Sequence, residues 1–95
     1  MNVTAGYYRS HKGGCYEVIG ISEHTEKHHI TVVYRDASGK LWNRPYTMFI
    51  EPMEDGETRF QRFENQNAGK QRYLEERKRM VKQVHDKMRK GLKSK

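Results

Sequence analysis

The chain has 95 residues, of which 34% are hydrophobic, so it holds one small domain and excludes a large helical bundle. Its net charge of +7 is concentrated at one end: residues 1–64 carry eight Lys/Arg against nine Asp/Glu, and residues 65–95 carry eleven against three. A single cysteine, Cys15, excludes an intrachain disulfide, and no stretch approaches the roughly 18 apolar residues of a membrane span. The opening residues show no apolar run resembling a signal peptide, and a cytoplasmic location is expected.

In chain order, Thr4 to Ser10 reads as a short strand, followed by a tight turn over His11 to Gly14. The paired glycines there supply positive φ without a Cβ clash. Cys15 to Ser22 is a second strand, with Gly20 marking a bulge or bend. Glu23 to His28 is a polar connection. In His29 to Arg35, residues Ile30, Val32 and Tyr34 alternate onto one face, the mark of a half-buried strand. Asp36 to Gly39 is a hairpin turn, and Lys40 to Arg44 returns as a strand. Pro45 cannot donate to a ladder, so the sheet breaks or reaches an edge there. Tyr46 to Phe49 fits one helical turn, Glu51 to Thr58 an acidic turn, and Arg59 to Phe63 a last strand anchored by Phe60.

The expected architecture is mainly β: a small SH3-like antiparallel β-barrel or a strongly bent sheet over residues 1–63, followed by one long α-helix in a basic extension, 64–95. Asn67 is the expected N-cap and Gly91 the expected stop, giving a helix about 35 Å long. Tyr73, Leu74, Met80, Val81, Val84 and Met88 recur at helical spacing as one apolar stripe, interrupted by Arg77. Arg72, Lys78, Arg79, Lys82, Arg89 and Lys90 occupy much of the remaining surface.

Several motifs in this order resemble a known family. "GYYRSHKGGCYEVIG", "HTE", "VVYR", "LWNRPYTMF" and "RF" are similar to the pattern of small bacterial and phage proteins grouped as domain of unknown function family 1653. The resemblance covers about residues 5–60. Ser10 and His11 stand where the family tends to have His and Tyr. The resemblance implies a single small β-domain and makes the basic helix an addition beyond the common core. It implies no activity.

The candidate sites divide by chemistry. The basic helix suits phosphate contacts with DNA or RNA through Arg72, Lys78, Arg79, Lys82, Arg89 and Lys90, and Trp42 is an aromatic on which a base can stack. Against this, the charges can simply solvate the helix, and Trp42 can equally be a core residue. Lys12, His24, Glu26, Arg35 and Arg44 match the family pattern. They form either a small polar pocket near one end of the barrel or, as we favour, a structural network fixing the connections. His24, His28 and His29 lack a second cysteine or a clear carboxylate partner, so no metal site is expected. Cys15 with His11 or His24 has no recognisable nucleophile signature, and a small buried thiol is preferred.

The leading expectation is a non-enzymatic nucleic-acid-binding module without cofactors. The alternative is a phage or mobile-element accessory protein that binds a host protein through Tyr73, Met80, Val84 and Met88. The sequence leaves open whether the chain is a monomer or a homodimer.

Overall fold

A computed structural model describes residues 3–56 and 58–93; of residues 84–93 only the backbone is described. Five strands form one antiparallel sheet: β1 (Gly6–Ser10), β2 (Cys15–Glu23), β3 (Ile30–Arg35), β4 (Leu41–Pro45) and β5 (Phe60–Arg62). Two helices complete the chain, α1 (Tyr46–Phe49) between β4 and β5, and α2 (Gln66–Lys93) after β5. The strand order is β4-β3-β2-β1-β5, so β4 and β5 are the two edges and the sheet is open. The gap between the edges is filled by α1, whose Phe49 stacks on Phe60 of β5 at 4.5 Å between ring centroids.

The predicted bulge falls at the predicted place. The β2–β3 register skips a residue between Val18 and Gly20, which leaves Ile19 unpaired and bends the strand. Pro45 ends β4 opposite Thr31, on an edge strand where its missing N–H costs nothing.

Residues directly opposite in an antiparallel pair share a face. The register therefore places Tyr8, Tyr16, Val18, Val32, Tyr34 and Phe60 on one side of the sheet. With Val3 and Phe49 they form the hydrophobic core. Tyr16 and Tyr34 meet edge-on at 5.6 Å, and Tyr16 and Phe60 at 5.5 Å. Such edge-on contacts suit rings whose faces are negative and whose edges are positive.

The opposite side of β1 and β2 is covered by the first half of α2. Gln66, Gly69, Tyr73 and Glu76 lie at i, i+3, i+7 and i+10, one helix face, and these are the positions of least exposure along it. The helix lands on backbone. Gln66 Oε1 accepts the Tyr7 N–H at 2.7 Å, and Gln66 Nε2 donates to the carbonyls of Phe63 and Tyr7 at 2.6 and 3.1 Å. Tyr73 is 2% exposed, and its hydroxyl donates to the Asp36 carbonyl at 2.9 Å. Glu76 accepts the Cys15 N–H at 3.0 Å. Gly69 lies so close to Phe63 that an added Cβ would come within 2.7 Å of the ring.

Three expectations for the helix need correction. The N-cap is Asn65, not Asn67: its Oδ1 accepts the Ala68 N–H at 3.0 Å, two residues earlier than the apolar pattern implied. Gly91 does not stop the helix, which continues to Lys93. The apolar stripe is not the docked face. Tyr73 is buried, but Leu74, Met80 and Val81 are 36%, 38% and 42% exposed. Steric closeness and hydrogen bonding to the sheet outrank side-chain hydrophobicity in setting the rotation of α2. Val84 and Met88, the remaining stripe residues, have side chains outside the described residues.

Among the described residues, no helix is long and apolar enough to cross a membrane.

Candidate nucleic-acid interface

Along one flank of α2 a recess opens between the helix and the outer side of β1 and β5. One chamber of about 620 Å³ has Arg9, His11, Gln61 and Phe63 on the sheet side and Arg72, Glu75, Glu76 and Arg79 on the helix side. A second chamber of about 880 Å³ continues around the β1–β2 turn past Lys12, Arg59, Tyr16 and Met80. The two share Ser10, His11, Gly13, Met53, Glu76 and Arg79, so they form one bent cleft.

Each wall follows from local sequence. Arg9 lies between Tyr8 and Ser10 on β1, and strand alternation turns it away from the core that holds Tyr8. Its Nη2 donates to Gln61 Oε1 across the β1–β5 pair at 3.1 Å, which aims the guanidinium along the cleft. The turn that carries His11 and Lys12 is closed by Ser10, whose amide donates to the Gly14 carbonyl at 2.8 Å and whose carbonyl accepts from Gly13 at 2.9 Å. His11 donates its own amide to the Arg59 carbonyl at 2.7 Å, tying the turn to the segment that enters β5. Arg72 and Arg79 are seven residues apart, two helical turns, and so occupy one flank of α2. The Arg72 guanidinium lies 6.0 Å from the Phe63 ring.

The electrostatics favour an anion. Five cationic side chains and His11 line the cleft, against Glu75 and Glu76. The Glu76 carboxylate is engaged by the Cys15 amide. Among the described residues the ion pairs are Arg35 with Glu17, at 3.6 Å, and His28 with Glu23, at 3.3 Å. Neither involves the cations of the cleft or Lys78 and Lys82. Cys15, on the cleft floor, is 7% exposed, and burial, reinforced by its contact with Glu76, pushes its thiol up to about 11. It therefore stays protonated and weakly nucleophilic at neutral pH.

The residues singled out in the sequence are distributed as follows. Arg72 and Arg79 line the cleft, whereas Lys78 and Lys82 are exposed and line neither chamber. The side chains of Arg89 and Lys90 lie outside the described residues. Trp42 is 43% exposed on β4, the edge strand opposite β5, where its Nε1 donates to Asp36 Oδ2 at 2.6 Å and Lys40 Nζ sits 4.1 Å from the ring centroid. It does not join the helix cations.

The five polar residues of the family pattern are not brought together. His24 and Glu26 are at the Ile30 end of β3 and Arg35 is at the other, about 17 Å away at ~3.3 Å per residue. His24 Nδ1 accepts the N–H groups of Glu26 and Lys27, at 3.3 and 3.2 Å, and so closes its own turn. That turn places His28 at φ 55°, in the left-handed region. Arg35 pairs with Glu17. Arg44 lies 5.7 Å from the Phe60 ring, with its Nε buried and without a hydrogen-bond partner. Lys12 alone of the five reaches the cleft. Among the described residues, no group of three or more His, Cys, Asp or Glu side chains comes together as a metal site would require.

Sequence reasoning missed Arg9, Arg59 and Phe63 and weighed His11 only as a partner of Cys15, beside which it lines the cleft. They are separated from Arg72 and Arg79 by up to 70 positions, and only the docking of α2 makes them neighbours. One local signal was available: Arg9 alternates with Tyr8, so a buried Tyr8 requires an outward Arg9.

No curated protein and no solved structure matches this chain. A family model, described as a protein of unknown function (DUF1653), matches residues 6–65. The match ends one residue before α2 begins, so Arg9, His11, Lys12 and Arg59 fall inside it and Arg72 and Arg79 fall beyond it. The chain belongs to the DUF1653 family, and it carries after the family segment a 28-residue basic helix packed against the sheet.

Proposed function

We propose that this chain is a non-enzymatic nucleic-acid-binding module of the cytoplasm, in which the basic C-terminal helix supplies the phosphate contacts. The observation that carries the reading is the cleft, where Arg72 and Arg79 of α2 face Arg9 and His11 of the sheet with no ion pair to a carboxylate among the described residues. Cations held apart from the protein's own carboxylates keep their charge available for a polyanion. The strand order, with a one-turn helix between β4 and β5, supports the finer reading of the sheet as an opened SH3-like barrel. In that reading the barrel is a scaffold, and the chemistry of binding belongs to the cleft and helix.

The test is titration of labelled oligonucleotides across a salt series. Four to six phosphate contacts give a log–log slope of about −3 to −5. Replacing Arg72 and Arg79 by Ala makes the slope shallower by about 1.5 to 2. A salt-independent affinity, or one untouched by the double replacement, overturns the reading.

A second reading has its own observation: Leu74, Met80 and Val81 are exposed on α2. We infer from this that the helix binds a protein partner, such as a host protein met by a phage or mobile-element product. Capture of one partner that survives nuclease treatment and is lost on replacing Met80 and Val81 by Ala favours this reading over the first.

A further inference from the structure

We propose that the cleft beside α2 selects unpaired nucleic acid: a single strand lies between helix and sheet, its phosphates on Arg9, Arg72 and Arg79 and a base against Phe63. The inference rests on the reading above and narrows it to one strand state.

The position of the cations is the first argument. Arg9 comes from the sheet wall of the recess, and Arg72 and Arg79 come from the helix wall. A strand inside the recess meets both walls at once. A duplex has its phosphates on a convex surface and receives a helix in a major groove about 12 Å wide by the helix face turned away from its own protein. The flank of α2 that bears Arg72 and Arg79 borders the sheet instead. A duplex could meet the exposed Lys78 and Lys82 but not, in the same pose, Arg9.

The second argument is the aromatic. Phe63 follows β5, lines the same chamber, and is half-buried, with the Arg72 guanidinium 6.0 Å from its ring. An aromatic face beside an arginine is the arrangement on which unpaired bases stack, and a paired base offers no free face to it. Phe63 is also fixed in place, since its amide donates to the Tyr7 carbonyl at 3.0 Å and Gly69 abuts its ring. A rigid platform loses little freedom when a base lands on it.

The carboxylates space the phosphates. Glu75 and Glu76 repel phosphate, and Glu75, unlike the Glu76 held by Cys15, can accept an amino group of a base. They sit on the helix wall between Arg72 and Arg79 in sequence, so phosphates gather at the arginines and a base edge is tolerated between them.

The experiment is fluorescence anisotropy on the full chain with a 12-nucleotide single strand, as DNA and as RNA, and with the matching duplex. The proteins are the natural sequence, Arg9→Gln, Phe63→Leu, and Lys78→Gln with Lys82→Gln. Expected is single-strand binding about tenfold tighter than duplex binding, weakened about five- to tenfold by Arg9→Gln. Phe63→Leu weakens it with the salt slope unchanged, because stacking releases no counterion. Arg9 is exposed, so its replacement tests the cleft even if Phe63→Leu fails to fold. Equal or tighter duplex binding, lost in the double lysine variant and kept in Arg9→Gln, overturns the inference and leaves the nucleic-acid reading intact. No salt-dependent binding of any strand overturns both. The DNA and RNA arms tell which sugar the cleft accepts.

Discussion

On one side of the sheet, Val18, Val32, Tyr34, Phe49 and Phe60 meet ring against ring and methyl against ring. On the other side, α2 is held by Gln66 on the Tyr7 backbone, Tyr73 on the Asp36 carbonyl and Glu76 on the Cys15 amide. The first contact is non-directional and scales with buried area. The second is directional, and it sets the rotation and axial position of the helix. The comparison shows how a small protein divides its needs. The inner side makes the domain stable, and the outer side decides where the charges fall. A rotation of α2 by one residue would carry Arg72 and Arg79 out of the cleft.

The largest expected effect comes from the inner side. Phe60→Ala removes a ring that stacks on Phe49 and touches Tyr16 and Tyr34, and should cost about 3–5 kcal/mol. A domain of this size has roughly 5–15 kcal/mol in all. Urea denaturation followed by circular dichroism measures the loss. A cost near zero would mean that the rings are not packed together.

Gly69→Ala sharpens the comparison on the outer side. Alanine favours helix by about 1 kcal/mol over glycine, yet here its Cβ would meet the Cβ, Cγ and Cδ2 of Phe63 at 2.7 to 2.9 Å. The near end of a ring cannot swing away, so the variant should lose about 1–3 kcal/mol net and shift α2. Amide exchange at Cys15, whose N–H is protected by Glu76, should accelerate with it. A stabilised variant would mean that α2 does not approach the sheet so closely.

Gln66→Ala leaves the Tyr7 N–H without its partner and should cost about 1–2 kcal/mol. It should weaken nucleic-acid binding less than Arg72→Ala does, since it loosens the helix without removing charge. Binding isotherms at one fixed salt concentration compare the two variants.

The smallest effect is a pH dependence. Burial raises the Cys15 thiol from about 9.0 to about 11, with Glu76 adding to it, and burial also raises Tyr7, Tyr16 and Tyr73. A group with a raised folded-state value contributes stability that is complete below its unfolded value and is lost as pH climbs towards the folded one. For Cys15 that window is about pH 9 to 11. Thermal melts should decline through it, and Cys15→Ala should flatten part of the decline. An unchanged slope in the variant would place the thiol in water.

The strands were legible because their signals are local. Ile30, Val32 and Tyr34 alternate, glycines sit in the β1–β2 and β3–β4 turns, and Gly20 adjoins the bulge. The docked face of α2 was not legible, since Gln66, Gly69 and Glu76 carry no hydrophobic signal. Their role depends on a backbone surface, at Tyr7 and Cys15, that hydropathy does not describe. A pocket joining Arg35 and His24 was the less favoured reading, and the structure sets the two at opposite ends of β3, Arg35 beside Glu17 and His24 closing its own turn.

By itself the sequence determined the five strands, their turns, the inward face of β3 and the separation of a near-neutral sheet from a cationic helix. These follow from alternation, glycine conformation and charge counts, each read within a few residues. Only the tertiary structure decided which side of the helix is covered and which cations share a recess. Those depend on hydrogen bonds between segments some sixty residues apart, such as Gln66 with Tyr7, and no local pattern encodes a partner at that distance.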